Sequence, residues 1–457
     1  MPSIDDFATW APVLRLLRAA HADSLAVPGG HVTGQIGIHS WSLHLPRRMP
    51  PPGQAAQLAD MQDEYDAVQL VQAALTEAGI EGMSFVAEIS PSGHTALDLF
   101  GPSPAVEQSF GVHPGALVLV EDSVPEPWRR LPEPVPGAAP APSVDLALLE
   151  RTLRERIPDA VAATEEEIAA AETRLGVTLP NELKVLYGVT RAKWEDFRDD
   201  DGWERVVDAV GFEPFSPDEL SVADASSRPS RWQFGAMEAV VTPPDAAIQG
   251  LVGSPGWIVL GDTGGGDRVA VDLTPGPRGH TGQIIVFSHE DRIGADLLAR
   301  SLTDLVVNGP EDGRRHRGAE PGAVAWVNRG SLSSVQAAAH PGLEALSIGV
   351  WEEEPVSLAP VIGLPRLRTL RAYPGTLADP LEIAGLTGLE FLELAPEEWR
   401  VLLDAGAVPR SLSAASVDVH GDRHPLPIVN LANELLALWN RPPIPRTTLV
   451  GDLGPLA

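Results

Sequence analysis

Apolar positions follow helical spacing in some stretches and alternate in others, and the changes of period mark the elements. Phe7, Trp10, Val13, Leu14 and Leu17 share one face at helical spacing. Val32, Ile36 and Ile38, then Trp41, Leu43 and Leu45, alternate as strands do, with a slip of phase near Ser40 that reads as a bulge. Leu58, Met61, Tyr65, Val68 and Leu75 predict a long amphipathic helix, and short strands follow at 83–89, 96–100 and 116–120. Residues 1–125 therefore read as an α+β unit. From Pro125 to Pro142 the chain is rich in Pro and Ala, which breaks both periods. The stretch is expected to hold neither helix nor central strand, and 126–143 reads as a stiff, polyproline-like linker.

The next block, 144–310, is the most legible. Leu146, Leu149 and Leu153 mark a helix over 145–157. Thr164 with Glu167 three residues on forms a capping box, and Glu165 to Glu167 suit the positive end of the helix. Ile168, Ala171 and Leu175 give that helix its buried face, and Gly176 is placed to end it in a left-handed cap. Leu179-Pro180 opens a third helix with Leu183, Leu186 and Tyr187 inward. Strands are expected at 257–260, 268–273 and 283–287. A closing helix is expected over 294–306, with Leu297, Leu298, Leu302 and Leu305 apolar.

These segments resemble a known family. ATEEEIAAAETRLGVTLPNELKVLY at 163–187 is similar to the helical opening of the SUKH superfamily, the Smi/Knr-type domain. GWIVLGDTGGGDRVAVDL at 256–273 and GQIIVFSHE at 282–290 are similar to its sheet core, in family order. The resemblance covers about 145–310 and implies a mixed α/β domain with an antiparallel-rich sheet and no catalytic machinery. Where the family carries an Asn-Gly turn after the second opening helix, this chain has Gly188-Val189-Thr190-Arg191 and an acidic stretch.

Residues 320–457 repeat themselves. Leu343-x-x-Leu346-x-Ile348 recurs from Leu367, Leu389 and, weakly, Leu412, at steps of 24, 22 and 23 residues. That period and core resemble a degenerate leucine-rich-repeat array over about 330–420, in which each unit buries its leucines against the next. The usual asparagine is absent, with Trp351, Gly375, Glu397 and His420 near its place. A helix over 428–439 is expected to cap the open end. The whole reads as α+β: the N-terminal unit, the central SUKH-type domain and a short C-terminal solenoid.

Composition narrows the function. The chain has 457 residues, 44% of them hydrophobic, enough for about three domains. It has no cysteine, so disulfides, cysteine-ligated zinc and thiol catalysis are excluded. No apolar run reaches the ~18 residues of a membrane span, and Met1-Pro-Ser-Ile-Asp-Asp lacks the positive start of a signal peptide, so a cytoplasmic protein is expected. Abundant Ala, Gly, Pro and Arg with little Lys matches a bacterium of high GC content. A net charge of −30 opposes nucleic acid and acidic membrane surfaces and favours a cationic protein partner.

Candidate chemistry is sparse. Gly261-Asp262-Thr263-Gly264-Gly265-Gly266-Asp267 invites a phosphate-loop reading, but the Lys-Ser/Thr and the following helix are missing, so it reads as a hairpin. Asp262, Asp267 and Asp272 lack calcium-loop spacing. His289-Glu290 has Ile293 where a zinc motif needs histidine. No catalytic residue, cofactor or metal is expected, and the chain is read as a non-enzyme. The candidate partner surface is Trp194, Glu195, Asp196, Asp199, Asp200, Asp201 and Trp203, with Asp262 and Asp267; the alternative is a solvated acidic loop whose tryptophans are packing residues. Aromatic anchors beside charge are common at interfaces. The resemblance implies an immunity-type protein that occludes a basic toxin such as a nuclease. The alternative is a regulatory scaffold of cell-wall or stress pathways acting through protein contacts.

Overall fold

The computed structural model describes residues 2–45, 61–107, 116–120, 123–197, 200–311, 322–351 and 354–455. Leu58 and Asp199 lie outside them. The chain divides into two compact units: one comprises 1–123, 326–341 and 346–457, the other 124–325 and 342–345.

The first unit begins with helix α1 (Phe7–Ala20), whose N-cap Asp6 accepts from the Ala8 N–H. Strands β1 (Val32–Gly37) and β2 (Trp41–Leu43) form an antiparallel hairpin, so the phase slip near Ser40 is a chain reversal and not a bulge. Helix α2 (Gln62–Ala78), strands β3 (Gly82–Ile89) and β4 (His94–Phe100), and β5 (Leu117–Leu119) complete the N-terminal part. Trp10, Leu14 and Leu17 of α1 and Val68, Val71 and Leu75 of α2 are buried with Phe85, Leu97 and Leu99 of the strands.

The second unit opens with a segment that departs from expectation. Residues Glu126–Arg129 form one helical turn that begins after Pro125, and Trp128 is buried. The Trp128 indole N–H donates to the Arg228 carbonyl at 2.7 Å, and Arg130 donates to the Val240 carbonyl at 2.6 Å. Gln249 and Glu133 exchange two bonds of 2.8 Å. The segment is thus a strap pinned through the side chains of Trp128 and Arg130 and the backbone of Glu133.

Helices α3 (Leu146–Arg156), α4 (Glu165–Leu175) and α5 (Asn181–Tyr187) follow as the periodicity predicts. The capping box is formed: Thr164 Oγ1 accepts from the Glu167 N–H at 3.1 Å, and Glu167 Oε2 accepts from the Thr164 N–H at 2.7 Å. Gly176 is left-handed at φ 69°. Helix α6 (Asp200–Val210) occupies the end of what reads in sequence as an acidic loop. Strands β6 (Glu213–Pro214), β7 (Ser221–Val222), β8 (Trp257–Asp262), β9 (Arg268–Asp272), β10 (Gln283–Phe287) and β11 (Asp296–Ala299) form an antiparallel sheet of order β11-β10-β9-β8-β6, with β7 also on β8.

Both faces of this sheet are covered. Ile258, Leu260, Val269, Val271 and Ile284 face the helices, while Trp257, Val259, Ala270, Ile285 and Phe287 belong to a second cluster with Leu251 and Val240. This is why the strands read as near-continuous apolar runs. The closing helix expected over 294–306 is split. Asp296–Ala299 is the edge strand, and Ser301 then caps helix α7 (Leu302–Asn308) by accepting from the Asp304 N–H at 3.0 Å.

The chain then returns to the first unit through β12 (Val324–Val327), β13 (Ala345–Ile348), β14 (Thr369–Ala372), β15 (Phe391–Leu394), helix α8 (Pro396–Asp404), β16 (Ala414–Val417), helix α9 (Pro425–Leu438) and β17 (Arg446–Asp452). β14, β15 and β16 are parallel, and Thr369 opposes Phe391, which opposes Ala414. These offsets are the repeat steps, and every leucine-type position of the four units is buried. The outer edge of β16 is filled by β5, antiparallel, where the sequence led to a capping helix. β17 pairs along its whole length with β4, so the first sheet, β17-β4-β3-β1-β2, uses both ends of the chain. Asp98 of β4 accepts two bonds from Arg446, at 2.9 and 3.0 Å, and Gly451 leaves room for the Phe7 ring, which a Cβ would meet at 2.2 Å.

Candidate functional site

The segment between α5 and α6 is held by charge. Arg191 donates from its backbone to the Val161 carbonyl at 2.7 Å, and its guanidinium grips Asp196 through two bonds, Nε at 2.6 Å. This pairing raises Arg191 further above its ordinary range. Asp196 is therefore committed within the protein, its side chain only 6% exposed. Lys193 pairs with Asp218 at 3.0 Å, which holds that carboxyl below its ordinary range. The two cations fix a single helical turn, Trp194–Asp196, beside the start of α6.

On that frame sits an aromatic cluster. The Trp194 and Trp203 rings lie 6.0 Å apart, edge to face, and Phe197 meets Trp203 at 5.9 Å in the same way. Trp203 is partly buried on α6, whereas Trp194 stands 50% exposed. Glu195, Asp200 and Asp201 are exposed around it, the last two in the first turn of α6, where acids suit the helix dipole. Sequence reasoning missed Phe197. Its signal is the run Trp194-x-x-Phe197 leading to Trp203, which places three rings within ten residues.

The glycine hairpin is a different kind of feature. Asp262 Oδ1 accepts from the Gly264 N–H at 2.7 Å and the Gly266 N–H at 3.3 Å, while Oδ2 accepts from Arg268 at 2.8 Å. Asp267 Oδ1 accepts from the His289 backbone and lies 2.8 Å from its Nδ1, contacts that hold the carboxyl below its ordinary pKa. Both carboxylates thus have partners within the turn region. Gly264 and Gly266 take positive φ, 78° and 95°, whereas Gly265 does not.

Asp272 is at the opposite end of β9 and wholly buried. It accepts from Gln283 Nε2 and the Thr274 N–H, both at 2.8 Å, and burial pushes its carboxyl up to about 6. The three aspartates of the hairpin strands therefore do not converge. Among the described residues no group of three or more His, Cys, Asp or Glu is placed to hold a metal ion. No helix among the described residues is long and apolar enough to cross a membrane.

With this geometry in place, the comparisons agree with the sequence resemblance. Residues 162–308 match the SMI1 / KNR4 family (SUKH-1). A Glucan synthesis regulatory protein of Neurospora crassa is 38% identical over 98 residues, 21% of this chain and 18% of that protein. The Cell wall biosynthesis/cell cycle regulator smi1 of Schizosaccharomyces pombe is 28% identical over 162 residues, 32% of this chain and 29% of that protein. A KNR4/SMI1 homolog of Yarrowia lipolytica is 24% identical over 209 residues, 35% of this chain and 29% of that protein. The chain thus spans under a third of the length of these relatives. The capped opening helices and the antiparallel sheet fall inside the matched segment, and residues 162–308 are a SUKH-1 domain of the SMI1 / KNR4 family.

Proposed function

We propose that the chain is a non-catalytic regulatory protein that acts in the cytoplasm by binding another protein through its SUKH-1 domain. The observation that supports this most is the Trp194, Phe197 and Trp203 cluster, kept partly open on a charge-locked frame and bordered by Glu195, Asp200 and Asp201. A half-exposed tryptophan is a typical anchor, and surrounding carboxylates steer a cationic partner to it. The relatives named as regulators of glucan synthesis and cell-wall biosynthesis favour a regulatory role over toxin immunity. The four-unit repeat is proposed to form a short leucine-rich-repeat-like solenoid that adds a second protein-binding element.

The test is affinity capture from the source organism with the wild-type chain and with Trp194→Ala combined with Asp200→Asn and Asp201→Asn. The expected result is one basic protein retained by the wild type, weakened by salt, and lost at least tenfold by the variant. Equal retention by both chains removes this surface from the account. Recovery of a toxin as the retained protein would shift the reading to immunity.

A further inference from the structure

The N-terminus of α9 carries a histidine pair that the proposed binding role does not use. His424 is the N-cap of α9, and its Nδ1 accepts from the Leu426 N–H at 3.2 Å. In that geometry Nδ1 bears no proton, so the neutral ring carries its proton on Nε2. His31, in the turn before β1, has a side chain only 8% exposed. Its Nδ1 faces the Gly29 carbonyl at 3.1 Å, which places the proton there and leaves Nε2 as a lone pair. The two rings lie 4.6 Å apart, and both Nε2 atoms are buried without a hydrogen bond.

The charged surroundings come from every neighbouring element. Glu88 of β3 lies 3.3 Å from His424 Nε2, and Asp422 lies 3.6 Å from His31 Nε2. Asp98 of β4 acts on His424 electrostatically, although Arg446 of β17 already holds it. Arg423, next in sequence, pairs with Glu397 of α8 at 2.6 Å. A metal shared by the two rings would need a lone pair on His424 Nε2, where the capping geometry puts a proton. The arrangement is built for protons.

We propose that His31 and His424 form an acid-sensitive latch on the N-terminus of α9. Protonating His424 puts an N–H on Nδ1, facing the Leu426 N–H and the positive end of the helix, so the cap is lost. The His31 ring, 4.6 Å away, further disfavours positive charge on His424. Burial first, and then His31, hold the His424 ring below its ordinary pKa, which favours the neutral, capping form. The sign follows: the latch is fully engaged above the ordinary histidine value and is lost as pH falls through the depressed one. His424 also lines a groove of about 650 Å³ between α8 and α9, with Pro396, Arg423, Ile428 and Leu431, so uncapping alters the mouth of that groove.

Hydrogen exchange of the full chain tests this. After correction for intrinsic rates, protection of the Leu426, Ile428 and Val429 amides is expected to fall at least tenfold from pH 7 to pH 5, while β3 amides keep theirs. His424→Asn, which retains a capping oxygen but does not titrate there, is expected to abolish the fall. His31→Gln, which removes the neighbouring ring, is expected to move the midpoint to higher pH. Unchanged wild-type protection across this range overturns the proposal, and so does an equal fall in His424→Asn.

Discussion

The two units solve the same packing problem with different economies of sequence. The unit that contains the SUKH-1 domain draws its core from one continuous stretch, and its sheet is closed by neighbours in sequence: β8 with β9, β9 with β10, β10 with β11. The other unit is closed by exchange. β17 from the end of the chain completes the sheet of β1 to β4, and β5 from the beginning borders β16. Local closure lets a unit form from short loops, whereas exchange makes its stability depend on residues 348 positions apart, such as Asp98 and Arg446 (Thr448 reaches the same carboxylate). The difference teaches that residues 94–100 and 446–452 are structural members of one unit, while the sheet of the other lies within 213–299.

The largest way to break this comparison is to remove β17. A chain ending at Pro445 is expected to lose more than about 4 kcal/mol from the exchanged unit, because Asp98 is left without Arg446 and the β4 edge without a partner. Hydrogen exchange should then show β1, β3 and β4 unprotected and β8 to β10 unchanged. Trp257→Ala is the converse change. Trp257 of β8 is fully buried and stacks with Phe287, so its truncation is expected to cost the SUKH-1 unit about 3–5 kcal/mol and to leave β3 and β4 protected.

A smaller contrast lies within the glycine hairpin. Gly264→Val places a β-branched residue at φ 78° and is expected to cost about 1–2 kcal/mol in thermal unfolding. Gly265→Val is expected to change stability by less than ~0.5 kcal/mol, since φ there is not positive and the nearest atom to an added Cβ is 3.7 Å away. An effect of similar size to that of Gly264→Val is in pH. Asp272, raised to about 6 by burial, binds its proton more tightly in the folded state than in the unfolded one. Its contribution is therefore present below the ordinary carboxylate value and lost as pH rises through about 6. Acidifying from pH 7.5 to 5 should stabilise the SUKH-1 unit by about 1 kcal/mol, a gain that Asp272→Asn removes. The histidine latch predicts the opposite slope around α9.

What the sequence discloses follows from the range over which each force acts. The capping box at Thr164, the left-handed Gly176 and the strand runs at 257–260 and 283–287 are local, and the structure carries them as read. The repeat steps even set the register of β14 to β16. Local patterns misled where two elements share one apolar spacing: Leu297 and Leu298 belong to a strand and Leu302 and Leu305 to a helix, divided by the Ser301 cap. Proline content hid the turn at Glu126–Arg129, whose anchor, Trp128, donates to a carbonyl 100 residues away. The pairing of β17 with β4 has no local sign at all. At the surface, Trp194, Trp203 and the acids were visible as residue types. That Asp196 is locked to Arg191, and that Phe197 completes the cluster, required the fold.

The most direct test of the binding account is the affinity of residues 124–311 alone for the protein captured by the full chain, measured by titration calorimetry. The account predicts a dissociation constant within about twofold of the full chain's, since the surface around Trp194 lies wholly in that stretch. A fragment that is folded by circular dichroism yet binds more than about a hundredfold more weakly would contradict it.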